Sequence, residues 1–344
     1  MLNREARIGR RRRTALVVSL LVSLALLAVS CGADDPIDII PPPGTPTPTT
    51  PVAASTEPAT PPSEFRVAYI NLLSPNTLDK TNTVPAETFQ ERLEIVIDGL
   101  KVFKPDLVAF SEVTWTRELD DAAAILAREL AMEPLAVRTK PWFPGLSSEA
   151  NNKYVKDLGF EESELVLVRG SVFPPGEGGV VWLNPRTSEI EVPGALWLRV
   201  NVPGATSGID VFVTHLTGID AAARARQAAD FAQWVEDKRG DGPVLVLGDF
   251  GDPADSPTLD AIKALGLTDV FAGSPVQTCC RPAILGEQPG LTQRTDFLLT
   301  SGWGPSAVAT FGHVPAPRAD GTPLYASDHN GISAVFPLPV PTSP

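Results

Sequence analysis

Short apolar runs separated by helix-length amphipathic stretches set the strongest limit on what this chain can fold into. Phe65–Ile70, Leu107–Phe110, Glu164–Val168, Leu196–Val202, Ile209–Thr214, Val244–Leu247, Asp296–Thr300 and Ile332–Phe336 are rich in β-formers and read as strands. Helical patterns lie between them. In Ala86–Phe103 the residues Phe89, Leu93, Val96, Ile97, Leu100 and Phe103 recur on one face at the helical period. Asp120–Met132 and Ala221–Lys238 are Ala-rich helices, and Ser256-Pro257 opens another, with Ser as N-cap and Pro in the first turn. Strands this apolar need cover on their outer faces, so the expectation is sheets flanked by helices. Periodicity alone leaves the number of sheets and the order of pairing open.

Polar residues recur where the apolar runs stop. Asn71 follows FRVAYI, Glu112 follows PDLVAFS, His215 follows VFVT and Asp249 follows PVLVLG. Asp296 opens DFLLT, and Asp328-His329 sits in SDHNG just before ISAVF. Any one of them alone is explained as a turn or cap residue. Together they form a carboxylate and imidazole set with amide support, which suits a hard divalent ion and proton transfer.

The first thirty residues are read as an export signal: Arg10–Arg13, then an uncharged run from Thr14 to Val29 that is short for a membrane span. Ala28-Val29-Ser30-Cys31 resembles a bacterial lipobox, which implies an acylated Cys31 and an exported protein held at the bacterial membrane by its lipid anchor. Residues 31–63 are rich in Pro and Thr and read as a linker; extended at about 3.1 Å per residue, it reaches ~90 Å. Residues 64–337 are globular in composition and 338–344 form a short tail.

Removing residues 1–30 leaves 22 basic against 40 acidic residues, a net charge of −18. Such a surface disfavours tight, sequence-independent nucleic-acid binding, so no stable nucleic-acid complex is expected, and the chain is expected to act as a monomer. Apart from Cys31 the chain has only the adjacent Cys279-Cys280, for which a vicinal disulfide and a reduced, packed pair both stand.

Ordered along the chain, AYINL, PDLVAFSEV, FVTHL, LVLGDF with DSPT, RTDFLL and SDHNGI resemble the motifs of the endonuclease/exonuclease/phosphatase family, which includes deoxyribonucleases, abasic-site endonucleases, sphingomyelinases and inositol-polyphosphate phosphatases. The resemblance spans residues 64–337. It implies an α/β four-layer sandwich, with two mixed sheets face to face and helices outside, and a Mg²⁺-dependent phosphodiester hydrolase, with Mn²⁺ or Ca²⁺ as alternatives. By the same resemblance Glu112 is the acidic metal ligand, supported by Asn71, and Asp328 lies beside the metal or the base. His329 is the general base, oriented by Asp296. His215 contacts phosphate or protonates the leaving oxygen, and Asp249 positions the attacking water. His313 is left as structural or solvent-facing. The substrate is a phospholipid-type or nucleic-acid phosphodiester, and Trp142-Phe143 and Trp303 are candidate membrane-entering aromatics, with a core role the simpler reading.

The chain departs from the family pattern at three places. Ser111 replaces a usual Gln, and Thr295 replaces an apolar residue. Gly251 replaces the Asn that donates to phosphate, a loss commonly worth about 10²–10³ in turnover. Position 251 is expected to be left-handed and to face empty space over the phosphate, with Asp252 a candidate for a new role. The alternative function is a non-catalytic module that binds phosphorylated ligands.

Overall fold

Alternation along the strands sorts the side chains into layers. A computed structural model describes residues 62–75, 88–116, 120–139, 160–184, 193–203 and 207–338, together with 205 and a few positions between 147 and 157. The expected signal peptide, Cys31, nearly all of the linker, the tail beyond 338, and Trp142 and Phe143 lie outside the described residues.

The first sheet runs in the order β12 (Ala307–Phe311), β15 (Gly331–Pro337), β1 (Glu64–Asn71), β2 (Leu107–Thr116), β5 (Phe160–Val168), β4 (Glu133–Thr139), with the short β3 (Asp120–Asp121) paired to β2. The second runs β10 (Thr268–Asp269), β11 (Asp296–Thr300), β9 (Val244–Asp249), β8 (Ile209–His215), β7 (Gly194–Val200), β6 (Pro175–Trp182). Each sheet has one parallel pair at its centre, β1–β2 and β8–β9, and the other pairings among the described residues are antiparallel. Parallel neighbours need a crossover, and α1 (Phe89–Phe103) and α3 (Ala221–Lys238) lie in the two crossovers. A hairpin β13 (Ala316–Pro317)–β14 (Pro323–Leu324) stands apart.

One apolar cluster fills the space between the sheets. It is built from Phe65, Val67 and Tyr69 of β1, Ile209, Val211 and Val213 of β8, and their neighbours on both sheets. The alternate residues face outward. Ala68, Ile70, Val108 and Phe110 meet α1 and α2 (Ala122–Leu130), while Phe212, Val246 and Phe297 meet α3 and α4 (Pro257–Lys263). The architecture is the expected four-layer sandwich of two mixed sheets between helices. Each fully buried Leu or Phe in these layers contributes about 1.5–3 kcal/mol relative to exposure.

Local signals agree with the elements. Asp121, Asp220 and Ser256 cap α2, α3 and α4 through side-chain oxygens, and Pro257 opens α4. Strand β2 runs past the expected Phe110 to Thr116, and β4, β6 and β12 carry no strand expectation from the sequence. Trp303 packs on Phe65 and Phe336 and donates its indole N–H to Pro337 O at 2.9 Å, so its ring belongs to the core and not to a bilayer-entering hairpin.

Candidate active site

The inward-facing row of several strands ends in a polar side chain. On β1 the row Phe65, Val67, Tyr69 reaches Asn71; on β8, Ile209, Val211, Val213 reach His215; on β9, Leu245 and Leu247 reach Asp249. On β11, Leu298 is preceded in its row by Asp296, and on β5, Val168 and Val166 by Glu164. Pairing brings three of these level, because Asp249 is opposite both His215 and Asp296. Gly248 permits the close β8–β9 approach: a Cβ there would overlap the Thr214 carbonyl.

Glu112 reaches the same place by a different device. The β2–β5 register shifts between Phe110 and Val113, leaving Ser111 and Glu112 opposite Glu164 alone. Glu112 has φ 56°, a left-handed conformation that costs a non-glycine residue about 1–2 kcal/mol. Bulges of this kind re-aim a side chain. The re-aimed carboxylate accepts from Asn71 Nδ2 at 2.9 Å and from Ser74 N at 2.7 Å. Asn71 Nδ2 also donates to Asp249 Oδ2 at 3.3 Å, while its Oδ1 accepts from Leu73 N. Asn71 thus supports two carboxylates through its amide N–H groups.

His329 is buried beside Asp296, with Nδ1 2.8 Å from Asp296 Oδ2. Its Nε2 faces Asp249 Oδ2 at 3.6 Å and Asp328 Oδ1 at 4.0 Å. Burial works against the imidazolium, but Asp296, Asp249 and Asp328 outweigh it and hold the ring well above its ordinary pKa. Burial pushes the Asp296 carboxyl up to about 6, against the pull of His329. Asp249 goes the other way: burial would raise it, but His329, His215 and hydrogen bonds from Gly251 N and Asn71 bring it below its ordinary value.

The second imidazole has its own carboxylate. His215 Nδ1 is 3.7 Å from Glu164 Oε1, and Nε2 is 3.9 Å from Asp249 Oδ2. Glu164 is buried and pushed up to about 7, chiefly by desolvation. In the sequence Glu164 stands out only as the start of a strand run. Its parity with Val166 and Val168 was the available signal, an acid continuing a core-facing row.

Two buried arginines also escaped the motif reading. Arg92 shares the apolar face of α1, three residues from Phe89 and four from Val96, and donates to the carbonyls of Leu72, Leu73 and Ala326. Burial lowers its pKa to about 10, with Asp328 and Glu112 opposing, so it stays charged behind those two acids. Arg281 holds the loop that carries His329, donating to Ser327 O, His329 O and the Asn330 side-chain oxygen.

The donor set fits a divalent ion. Glu112 and Asp328 offer oxygen ligands, and the Asp328 carboxyl is raised by burial and by the charges of Glu112 and Asp249 despite His329. Negative charge gathered on oxygen donors is the chemistry that Mg²⁺ neutralises.

Gly251 is left-handed as expected, with φ 62°, and its N–H donates to Asp249 Oδ1 at 2.9 Å. The space beyond it is not empty. A Cβ would lie 3.1 Å from Arg224 Cδ and 3.4 Å from Thr217 O, because the loop after β8 folds over this turn. Asp252 accepts from Arg224 at 2.7 Å and Thr258 at 2.6 Å, tying the turn to α3 and α4. Ser111 is buried against Tyr69, with 2.7 Å between the hydroxyls, and Thr295 leans its hydroxyl on Asp296 at 3.4 Å. His313 is exposed.

A family model described as the endonuclease/exonuclease/phosphatase family matches residues 70–329, a span that runs from Asn71 to His329 of this site. The chain belongs to that family. Members are hydrolases of phosphoester bonds and generally use a divalent metal. Among relatives, the uncharacterised protein YbhP of Escherichia coli K12 is 30% identical over 195 residues, covering 53% of this chain and 68% of that protein. Among solved structures, a mannosyl-6-phosphatase of Bacteroides thetaiotaomicron is 15% identical with a TM-score of 0.58, covering 80% of this chain and all (100%) of that one. The human Nocturnin catalytic domain with bound sulfate is 19% identical with a TM-score of 0.53, covering 80% of this chain and 94% of that one. Both share this family's fold.

Proposed function

We propose that this protein is a Mg²⁺-dependent phosphodiesterase, exported and held at the bacterial membrane by a lipid on Cys31. The His329–Asp296 contact carries the reading. With Nδ1 donating to the carboxylate, the imidazole keeps Nε2 as the basic atom, and that atom faces Asp249. Asp249 Oδ2 lies within 3.9 Å of both imidazoles, and a water held by this carboxylate would be oriented for attack while His329 takes its proton. His215, backed by Glu164, is placed to return a proton to the leaving oxygen. Glu112 and Asp328 would hold the metal, with Asn71 fixing the Glu112 carboxylate. When bound, Mg²⁺ supplies positive charge to the phosphate oxygens and offsets the carboxylate field that keeps His329 protonated.

The second imidazole–carboxylate pair suits protonation of the alkoxide that a diester or a monoester releases, and the diester reading rests on the motif resemblance. The fold shared with a mannosyl-6-phosphatase makes a monoester the competing substrate class. Comparing bis(p-nitrophenyl) phosphate with p-nitrophenyl phosphate, each in Mg²⁺ and in EDTA, tests the reading. Mg²⁺-dependent release from the diester is expected. Release from the monoester alone would reassign the substrate class, and binding of phosphate esters without turnover would favour the non-catalytic module. A panel of phospholipid, sphingomyelin, DNA and RNA then identifies the physiological class.

A further inference from the structure

A pair of sulfurs stands against the base. Cys279 and Cys280 are joined as a vicinal disulfide on the segment between β10 and β11, with Cys279 buried and Cys280 exposed. Cys280 Sγ lies 3.6 Å from His329 Nε2, as close to that nitrogen as the Asp249 carboxylate. Both sides of this contact are anchored. Thr278 N and Cys279 N donate to Gln293 O, and Arg281 N donates to Asp328 O while its guanidinium grips Ser327, His329 and Asn330.

A disulfide sulfur in this position carries no proton and is a poor metal ligand. A dithiol reductant changes its chemistry. One reductant thiolate attacks a protein sulfur, the S–S bond breaks through a mixed disulfide, and the second reductant thiol displaces it as a cyclic disulfide. Two electrons and two protons pass to Cys279 and Cys280, and the exposed Cys280 is the sulfur open to attack. The product is two thiols beside an imidazole nitrogen.

Geometry then favours a soft ion. A tetrahedral centre with sulfur at about 2.3 Å and nitrogen at about 2.05 Å has an S···N edge of about 3.6 Å. The Cys280–His329 separation already has that value. Ligand atoms of Cys279, Cys280 and His329 all lie within 4.8 Å of one another. Freed from their bond, the two sulfurs need part only to about 3.8 Å to complete three corners of the tetrahedron.

We propose that reduction of Cys279–Cys280 by a dithiol opens a soft-metal site made of both thiolates and His329 Nε2, where Zn²⁺ or Cd²⁺ binds. An ion held there occupies the nitrogen that serves as base, so it also stops turnover; this second effect rests on the function proposed above. Mg²⁺ does not compete, since hard ions select oxygen over thiolate.

The test uses the full chain, reduced with a dithiol and freed of it without air, then titrated with Cd²⁺ in excess Mg²⁺. The readout is the ultraviolet charge-transfer absorption of cadmium thiolate. The Cys279→Ser/Cys280→Ser double variant subtracts any contribution from Cys31, and Cys280→Ser at the exposed position replaces it if the double variant does not fold. Reduced wild type is expected to take up one equivalent of Cd²⁺ with thiolate absorption, and the oxidised protein none. His329→Ala should weaken uptake about ten-fold or more. Turnover of bis(p-nitrophenyl) phosphate should fall in step with uptake in the wild type and resist Cd²⁺ in the serine variants. Absence of the absorption in reduced wild type, or equal affinity in His329→Ala, overturns the site. If no phosphoester is turned over at all, the proposed activity fails while the absorption still decides the metal site.

Discussion

Replacing Glu164 by Gln should stabilise the protein at alkaline pH and impair it as an enzyme. Glu164 is 2% exposed, and burial pushes its carboxyl from an ordinary 4.5 to about 7. A raised acid binds more protons folded than unfolded between those values, so its contribution to stability is intact below about 4.5. It falls as pH rises, and above about 7 the full cost is present. At about 1.4 kcal/mol per pH unit, ionising Glu164 in the fold costs about 3 kcal/mol. Gln keeps the shape and stays neutral, so the variant should escape that cost. For a domain of this size about 3 kcal/mol corresponds to roughly 5–10 °C in Tm. Thermal melts of both proteins without metal, from pH 4 to pH 8.5, should show a gap near zero at the acid end that widens through pH 5–7. Turnover should fall because His215 loses its carboxylate, with Mg²⁺ half-saturation unchanged. A Tm gap that is the same at pH 4 and pH 8.5 would refute the reasoning, since only ionisation of this side chain generates the dependence.

The base and the metal ligand should separate kinetically: His329→Ala is expected to lower kcat by about 10²–10⁴ with the Mg²⁺ titration unmoved, and Glu112→Gln to raise the Mg²⁺ needed for half-activity; identical titrations would erase the distinction. Gly251→Asn is expected to give no gain in kcat, because its Cβ meets Arg224 Cδ at 3.1 Å and Thr217 O at 3.4 Å, and a ten-fold rise would show that the turn opens in solution. Cys31→Ala should abolish palmitate labelling and release the protein from membranes; unchanged membrane fractionation would remove the anchor from the proposal.

Strands whose two faces are both covered were plain in the sequence. β1, β8, β9 and β11 stand inside their sheets, with nearly every residue buried, so their apolar runs were uninterrupted. The ends of the two sheets, β4, β6, β10 and β12, went unread. There, exposure admits Pro134, Pro175, three glycines and the exposed Ala307–Ala309, and the run dissolves. The site divides along similar lines. Motif residues were legible because they border an apolar run and fall in the ordered motifs. Glu164 borders a run as well but lies in none of those motifs, and Arg92 and Arg281 were not legible, because a buried arginine that binds carbonyls carries no partner acid in sequence to mark it. The turn at Gly251 was legible in its backbone but not in its neighbours, which come from the loop after β8.

Core rows that end in polar groups have a consequence for how activity is lost. His329 sits on the loop that leads into β15 of the first sheet and Asp296 on the second; His215 comes from the second and Glu164 from the first; Asn71 and Asp249 are divided the same way. Each of these three partnerships crosses from one half of the sandwich to the other. The proposed centre is a seam, and it exists only while the apolar layer behind it holds the halves in register. A cavity cut into that layer at Val213 or Ile332, in the apolar layer just behind the polar residues, is expected to slacken these partnerships together. Turnover then becomes a more sensitive gauge of how the sheets are docked than any measure of helix or strand content.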